Sequence, residues 1–186
     1  MCGRYVGFDD GNDVIKDIYR QTFDRFPDAP IKIGEVFPTE TVPILQGPDL
    51  APVPMKWGYP GFKGKGVLIN ARAETVTEKY TFRDGILRSR CVIPTCGYYE
   101  WNKQKMKFRF NLPDDPTLYL GGFFARFPDG DRFIILTTLP NDSVKDVHDR
   151  MPLILTEEML PLWTTDTRAA LDYLTKEMPE LVKREA

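Results

Sequence analysis

Residues 90–101 read Arg90-Cys91-Val92-Ile93-Pro94-Thr95-Cys96-Gly97-Tyr98-Tyr99-Glu100-Trp101. Apolar and aromatic residues crowd 91–94 and 98–101, so both stretches read as strands. Alternation in an extended chain puts Tyr99 and Trp101 on one face and Tyr98 and Glu100 on the other. Downstream, 107–111, 118–124 and 132–138 carry the same strand signature. Upstream, 67–69 is a short apolar strand that empties into Asn70-Ala71-Arg72-Ala73-Glu74-Thr75, after which a helix is predicted. Residues 30–66 are rich in proline and glycine and read as short strands and turns. Residues 12–26 place Ile15, Ile18, Tyr19, Thr22, Phe23 and Phe26 at helical spacing, with Asn12 or Asp13 as cap and Pro27 and Pro30 as stops. Helices are also predicted over 144–148, 156–163 and 167–178. A helix, then many strands, then helices makes an α+β fold: a largely antiparallel, barrel-like sheet core with flanking helices. At 186 residues and 21.4 kDa, the chain reads as a single domain, 1–186, able to bury a core without metals or disulfides.

The formal net charge of -2 argues against a strongly electrostatic nucleic-acid binder. That average hides a gradient. Residues 51–110 hold twelve Lys or Arg against four acids, whereas 111–186 hold eight against fourteen. Trp57, Tyr59, Phe62, Tyr80, Phe82, Tyr98, Tyr99 and Trp101 are interleaved with the basic stretch. Cations beside aromatic faces suit a single-stranded nucleic-acid groove, and equally suit solvated loops around an aromatic core. One histidine excludes a multi-histidine metal site or a histidine relay. Three cysteines and no visible secretory signal fit free thiols in a reducing cytoplasm. The longest apolar run, 119–125, is broken by Gly121 and Gly122 and is too short for a bilayer, so no membrane partner is expected. Cys2, Cys91, Cys96 and His148 make a formal zinc set, but Pro94 falls inside the Cys91–Cys96 spacing and no CxxC pair exists, so no metal is expected.

Six residues, in four places along the chain, carry potential chemistry. With Met1 removed, Cys2 would present a thiol and a free α-amine. An α-amine titrates near ~7.7–8.0, so part of it is nucleophilic at neutral pH, and it can serve as the base for its own side chain. Such an aminothiol condenses with an aldehyde to a Schiff base, which the thiol then closes to a thiazolidine, an intramolecular and therefore favoured step. The plain alternative is that Met-Cys is only how the chain starts. His148, in Val147-His148-Asp149-Arg150-Met151-Pro152, is a candidate proton shuttle. Glu100 against aromatic walls would hold its proton to higher pH than an ordinary carboxyl; the alternative is an edge-strand glutamate facing water. Asn70, Arg72 and Glu74 would point the same way if the strand continues, with Arg72 as a phosphate fork; the alternative is a solvated strand end with a local ion pair.

Several segments together resemble the SOS response-associated peptidase (SRAP) family. They are Cys2-Gly3-Arg4-Tyr5, Phe37-Pro38-Thr39, Lys56-Trp57-Gly58, the unbroken Ile69–Thr75 motif, Arg90-Cys91-Val92-Ile93-Pro94, Gly97-Tyr98-Tyr99-Glu100-Trp101 and His148-Asp149-Arg150-Met151-Pro152. Glu40 stands where the family more often has glutamine, and the stretch between Trp57 and Asn70 looks shorter than in many members. The resemblance implies the SRAP fold and binding to single-stranded DNA containing abasic sites. It implies a thiazolidine crosslink between Cys2 and the abasic aldehyde, shielding the lesion, with slow reversal or lyase activity. By the same resemblance Asn70, Glu100 and His148 are catalytic partners of Cys2. Arg4 and Arg72 grip phosphates, Trp57 stacks on a base, and Pro38 and Thr39 contact DNA. The family's peptidase label points to removal of the residue before Cys2, which the protein could catalyse itself. No cofactor is implied, and a monomer, associated with the nucleoid when bound to DNA, is the plain expectation. The alternative is a cysteine peptidase or amidase with Cys2 as N-terminal nucleophile, aided by His148 and Glu100.

Overall fold

The computed structural model describes residues 2–113 and 117–186, without the side chain of Phe62; Met1 lies outside the described residues. The strands in chain order are β1 (Tyr5–Val6), β2 (Glu35–Val36), β3 (Thr41–Gln46), β4 (Ala51–Trp57), β5 (Tyr59–Pro60), β6 (Val67–Leu68), β7 (Asn70–Arg72) and β8 (Arg90–Thr95). They continue with β9 (Tyr98–Trp101), β10 (Lys107–Asn111), β11 (Leu118–Phe127), β12 (Gly130–Thr138), β13 (Met151–Pro152), β14 (Ile154–Leu155) and β15 (Val182–Glu185). The helices are α1 (Asp13–Arg25), α2 (Tyr80–Arg88), α3 (Met159–Thr165) and α4 (Thr167–Tyr173).

Five of these strands close into a barrel in the order β12-β4-β3-β8-β11, with β11 pairing back onto β12. Every pairing in the ring is antiparallel except β4 with β12. Closure removes the open edges that would otherwise invite foreign strands. The ring draws tight at Gly122, where a Cβ would stand 2.4 Å from the Ile134 carbonyl oxygen and 2.5 Å from Ile93 Cδ1. A second sheet, β15-β10-β9-β1-β2, is antiparallel throughout. Its inward residues include Tyr5, Tyr98 and Phe110, all fully buried, with the rings of Tyr98 and Phe110 stacked at 5.1 Å. The expected α+β, largely antiparallel, barrel-like core is the architecture observed.

Helix α1 forms where its apolar spacing predicts it. The Asn12 side chain accepts from the Ile15 amide at 3.0 Å, and Ile15, Ile18, Tyr19 and Thr22 face the core. Residues 144–148 form successive turns instead of the expected helix. A five-residue segment cannot offset helix nucleation, and the Asn141 side chain takes the Ser143 amide and hydroxyl into a local turn. The helix predicted over 167–178 stops at Tyr173. Val67 and Leu68 pair with Pro60 and Tyr59 on an exposed flap, so the strand that feeds the Asn70 motif into the main sheet is β7.

Part of the basic middle of the chain is internal. Arg90 is buried, and its guanidinium donates to the carbonyls of Ile86 and Leu87 at 2.8 Å and to that of Trp163. It satisfies carbonyls that the last turn of α2 cannot pair itself and ties that turn and α3 to β8.

Gly97 joins β8 to β9 at φ +133, where a Cβ would stand 2.8 Å from the Phe110 carbonyl oxygen. Gly97→Ala should therefore lower stability by about 1–3 kcal/mol, read as a drop in the urea midpoint. An unchanged midpoint would show that the β8–β9 corner relaxes freely.

Candidate functional site

Strand β9 alternates as its sequence predicts, with Tyr98 and Glu100 buried inward and Tyr99 and Trp101 half-buried on the outer face. Cys2, just ahead of β1, is fully buried. The cross-strand pair Tyr5–Tyr98 brings β1 alongside β9, and with it Cys2 beside Glu100. Burial pushes the Cys2 thiol far up, and the Glu100 carboxyl adds to the push. Burial likewise raises the Glu100 carboxyl, with His148 pulling the other way. Burial, Cys2 and Glu100 all push the Tyr98 phenol well up. Among the described residues, the buried hydroxyls of Tyr5 and Tyr98 have no hydrogen-bond partner. A neutral thiol and a carboxyl inclined to keep its proton thus share one interior.

His148 reaches this interior from the turn after β12, its Nε2 3.8 Å from Glu100 Oε2. Its Nδ1 accepts the Arg150 backbone N–H at 3.0 Å, and Asp149 Oδ1 also stands 3.0 Å from the same nitrogen. One nitrogen cannot accept an amide proton and donate to a carboxylate at once. The amide contact belongs to the neutral ring and the Asp149 contact to the imidazolium. In the neutral ring, the proton sits on Nε2, facing Glu100.

Asn70 lies on β7, which pairs in parallel with β12 in the register Ile135↔Asn70 and Thr137↔Arg72. Its side-chain amide lies 3.5 Å from the Ile135 carbonyl, and its buried Oδ1 has no hydrogen-bond partner among the described residues. Asn70 and exposed Arg72 line a cavity of about 370 Å³ with Ala71, Thr75, Lys79 and Phe82. The strand ends at Arg72 and a 3-10 turn follows over Ala73–Thr75. Glu74 therefore does not share a strand face with Asn70 and Arg72. It forms a two-pronged ion pair with Arg150, at 2.8 and 2.9 Å, across 76 residues of chain.

The expected DNA contacts divide. Arg4 lies over the Phe37 ring at 4.2 Å and the Trp101 ring at 4.9 Å, and pairs with Glu35 at 3.7 Å. Lys107 covers Tyr99 at 3.7 Å on the same outer face. Pro38 is half-buried and Thr39 is exposed in a tight turn, with the Glu40 side chain accepting from the Phe37 amide at 2.8 Å. Thr39 has φ 77, an uncommon conformation for a β-branched residue, held by its amide bond to the Trp57 carbonyl at 2.9 Å. Trp57 corrects its expectation. It is fully buried, stacked on Phe133 and tilted on Tyr5, and its indole N–H is bonded to the Ile69 carbonyl, so no ring face is left for a base. Among the described residues, no group of three or more His, Cys, Asp or Glu side chains is arranged to hold a metal, and no helix is long and apolar enough to cross a membrane.

Three partners of the site escape a reading of the sequence: Glu74 and Arg150 as a pair, and Thr137, whose carbonyl accepts from Arg150 at 2.7 Å. Arg150 sits inside a quoted motif, but nothing in that motif indicates which distant acid would meet it.

Residues 1–184 match the family model described as SOS response associated peptidase (SRAP). The abasic site processing protein YoqW of Bacillus subtilis is 32% identical over 196 residues, covering 94% of this chain and 84% of that protein. The abasic site processing protein YedK of Escherichia coli is 30% identical over 175 residues, covering 88% and 79%. Among solved structures, a protein from Bacteroides thetaiotaomicron superposes with a TM-score of 0.82 at 22% identity, covering 99% of this chain and 91% of that one. One from Bordetella bronchiseptica gives 0.76 at 21% identity, covering 100% and 99%. At those identities the two structures speak for the fold alone.

The raised Glu100 carboxyl has a consequence for stability. The unfolded chain titrates near ~4.3, so the stability linked to this group is fully present below that pH and is lost as pH rises through the higher folded-state value. Glu100→Gln keeps the shape and removes the charge. Its urea midpoint should match that of the parent at about pH 4 and exceed it at about pH 8. A parent protein more stable than the variant at the higher pH would contradict the raised carboxyl.

Proposed function

The chain belongs to the SOS response-associated peptidase family, and from that membership we propose that it processes abasic sites in DNA by bonding them covalently to Cys2. The observation that carries the reading is Glu100, buried beside Cys2, raised by burial, and 3.8 Å from the one histidine. Met1 leaves first, through an aminopeptidase or through this same site. The neutral α-amine of Cys2 then attacks C1′ of the open abasic sugar, and the aldehyde oxygen becomes the hydroxyl of a carbinolamine. Protonated Glu100 gives its proton to that hydroxyl, which departs as water and leaves a Schiff base. Cys2 Sγ adds to the carbon of this protonated Schiff base, its thiol proton passing to the Glu100 carboxylate and restoring the acid, while the ring nitrogen keeps its one hydrogen. The product is a thiazolidine and one water. Run backwards, the same steps release the lesion.

His148 serves the step before attack. Its Nε2 proton points at Glu100, whose protonated carboxyl gives its proton to the sugar's ring oxygen from one oxygen and takes the C1′ hydroxyl proton on the other, opening the hemiacetal. The unpaired Oδ1 of Asn70 is a ready acceptor for an N–H of the attacking amine. Arg72, Lys79 and Phe82 offer charge and a ring face to the strand beside the lesion, and Arg4 with the Pro38–Thr39 turn offers a second approach. A single strand is preferred because a partner strand would have to be peeled away before the aldehyde could enter.

The same geometry lends less support to a thiol peptidase. That chemistry needs a thiolate, which proteins obtain by lowering the thiol pKa, whereas burial and Glu100 raise this one.

Mixing the protein with an abasic oligonucleotide should give an adduct stable on a denaturing gel. Its intact mass should equal the protein without Met1, plus the oligonucleotide, minus one water. Cys2→Ala should give no stable adduct. Cys2→Ser should give one only after borohydride reduction, because the ring cannot close on sulfur. A stable adduct from Cys2→Ala without reduction would sink the thiazolidine.

A further inference from the structure

Arg150 is nearly buried, and its guanidinium ties two other segments to its own. Nη1 and Nη2 grip both oxygens of Glu74, on the turn that follows β7, at 2.8 and 2.9 Å. Nη2 also donates to the Thr137 carbonyl of β12 at 2.7 Å. The backbone N–H of the same residue donates to His148 Nδ1 at 3.0 Å. An Arg–carboxylate fork of this kind fixes direction as well as distance. His148 is otherwise carried on a succession of turns, with no helix to orient it.

We propose that the Glu74–Arg150 pair is a positioning device for His148: it anchors the Arg150 backbone so that its N–H fixes the imidazole tautomer and points the Nε2 proton at Glu100. The pair touches no reacting atom. Glu74 is a half-exposed carboxylate, and Arg150 holds it below the usual carboxylate range, as a working fork requires. Among the described residues, two carboxylates face the ring: Glu100 at Nε2 and exposed Asp149 at Nδ1. With the Arg150 amide in place, the neutral ring has one stable arrangement. Without it, either nitrogen can carry the proton.

The kinetic half of this inference rests on the crosslinking function proposed above; the tautomer half does not. Because the chain has one histidine, its imidazole nitrogens give a single pair of signals in a long-range proton–nitrogen NMR spectrum. Recorded on the full chain without DNA, above the titration of the ring, the parent should show the Nε2-protonated form. Glu74→Gln keeps one hydrogen bond and should show a mixture of tautomers, with little change in melting temperature. Its rate of adduct formation on an abasic strand should fall about ten- to a hundredfold, the effect of a small misplacement at a reacting centre. Affinity for an intact strand should not weaken.

On a His148→Ala background the further loss from Glu74→Gln should vanish, because the pair acts through the ring; a general loosening of the fold would multiply the two losses. A folded Glu74→Gln protein with the parent tautomer and the parent rate overturns the proposal, and so does a rate loss that persists without His148. If the parent makes no adduct at all, the proposed function fails, and the tautomer comparison still judges the positioning role.

Discussion

Strand β12 changes neighbour halfway along one edge, and the candidate site depends on that change. Arg132 and Phe133 pair with β4, which ends at Trp57; from Ile135 to Thr137 the partner is β7. A strand edge cannot go unpaired in a closed core without leaving amides and carbonyls unsatisfied. Trp57 fills the handover. Its ring stacks on Phe133, its N–H donates to the Ile69 carbonyl, and the next amide, Gly58, donates to the Phe133 carbonyl at 2.8 Å. Only because β4 stops there can Asn70 and Arg72 enter the sheet. The same strand supplies the Thr137 carbonyl to Arg150 and runs on towards the turns that carry His148.

That dependence explains which parts of the molecule could be read from the residues. Local patterns were enough for α1, for the alternation of β9 and for β10, because period and capping are properties of neighbours in sequence. Local patterns misled at residues 144–148, where apolar residues at helical spacing occupy turns braced by Asn141. The resemblance misled at Trp57. It implied a stacking platform, but the ring's environment is set by Phe133, far along the chain. Of the site, Cys2, Glu100, His148 and Asn70 stood out by residue type and motif. The pairing of Glu74 with Arg150 did not, since Glu74 reads together with Asn70 and Arg72 and no local pattern ties it to a residue 76 positions away.

The charge gradient has a similar history. Counted along the chain, the middle is basic; placed in the fold, much of that charge is already engaged. Arg90 serves carbonyls, Lys56 meets Asp129 together with Arg132 of the acidic stretch, and Lys107 sits between Glu35 and Tyr99. Those two cations hold the Asp129 carboxyl down to about 2. The charge free to meet a phosphate is therefore more local than the composition implies, and exposed Arg72, beside Asn70, is part of it.

The depth of Cys2 bears on how such a protein survives before it acts. A free aminothiol in a cell is open to peroxides, to disulfides and to every small aldehyde of metabolism. Oxidation and exchange proceed through the thiolate, and while Met1 is still attached the Cys2 sulfur, held protonated at zero exposure, offers almost none. In the proposed reaction, the interior that readies this residue for one large, strand-borne aldehyde thus also works as storage. The reagent keeps its reactivity because chemistry has to be carried to it.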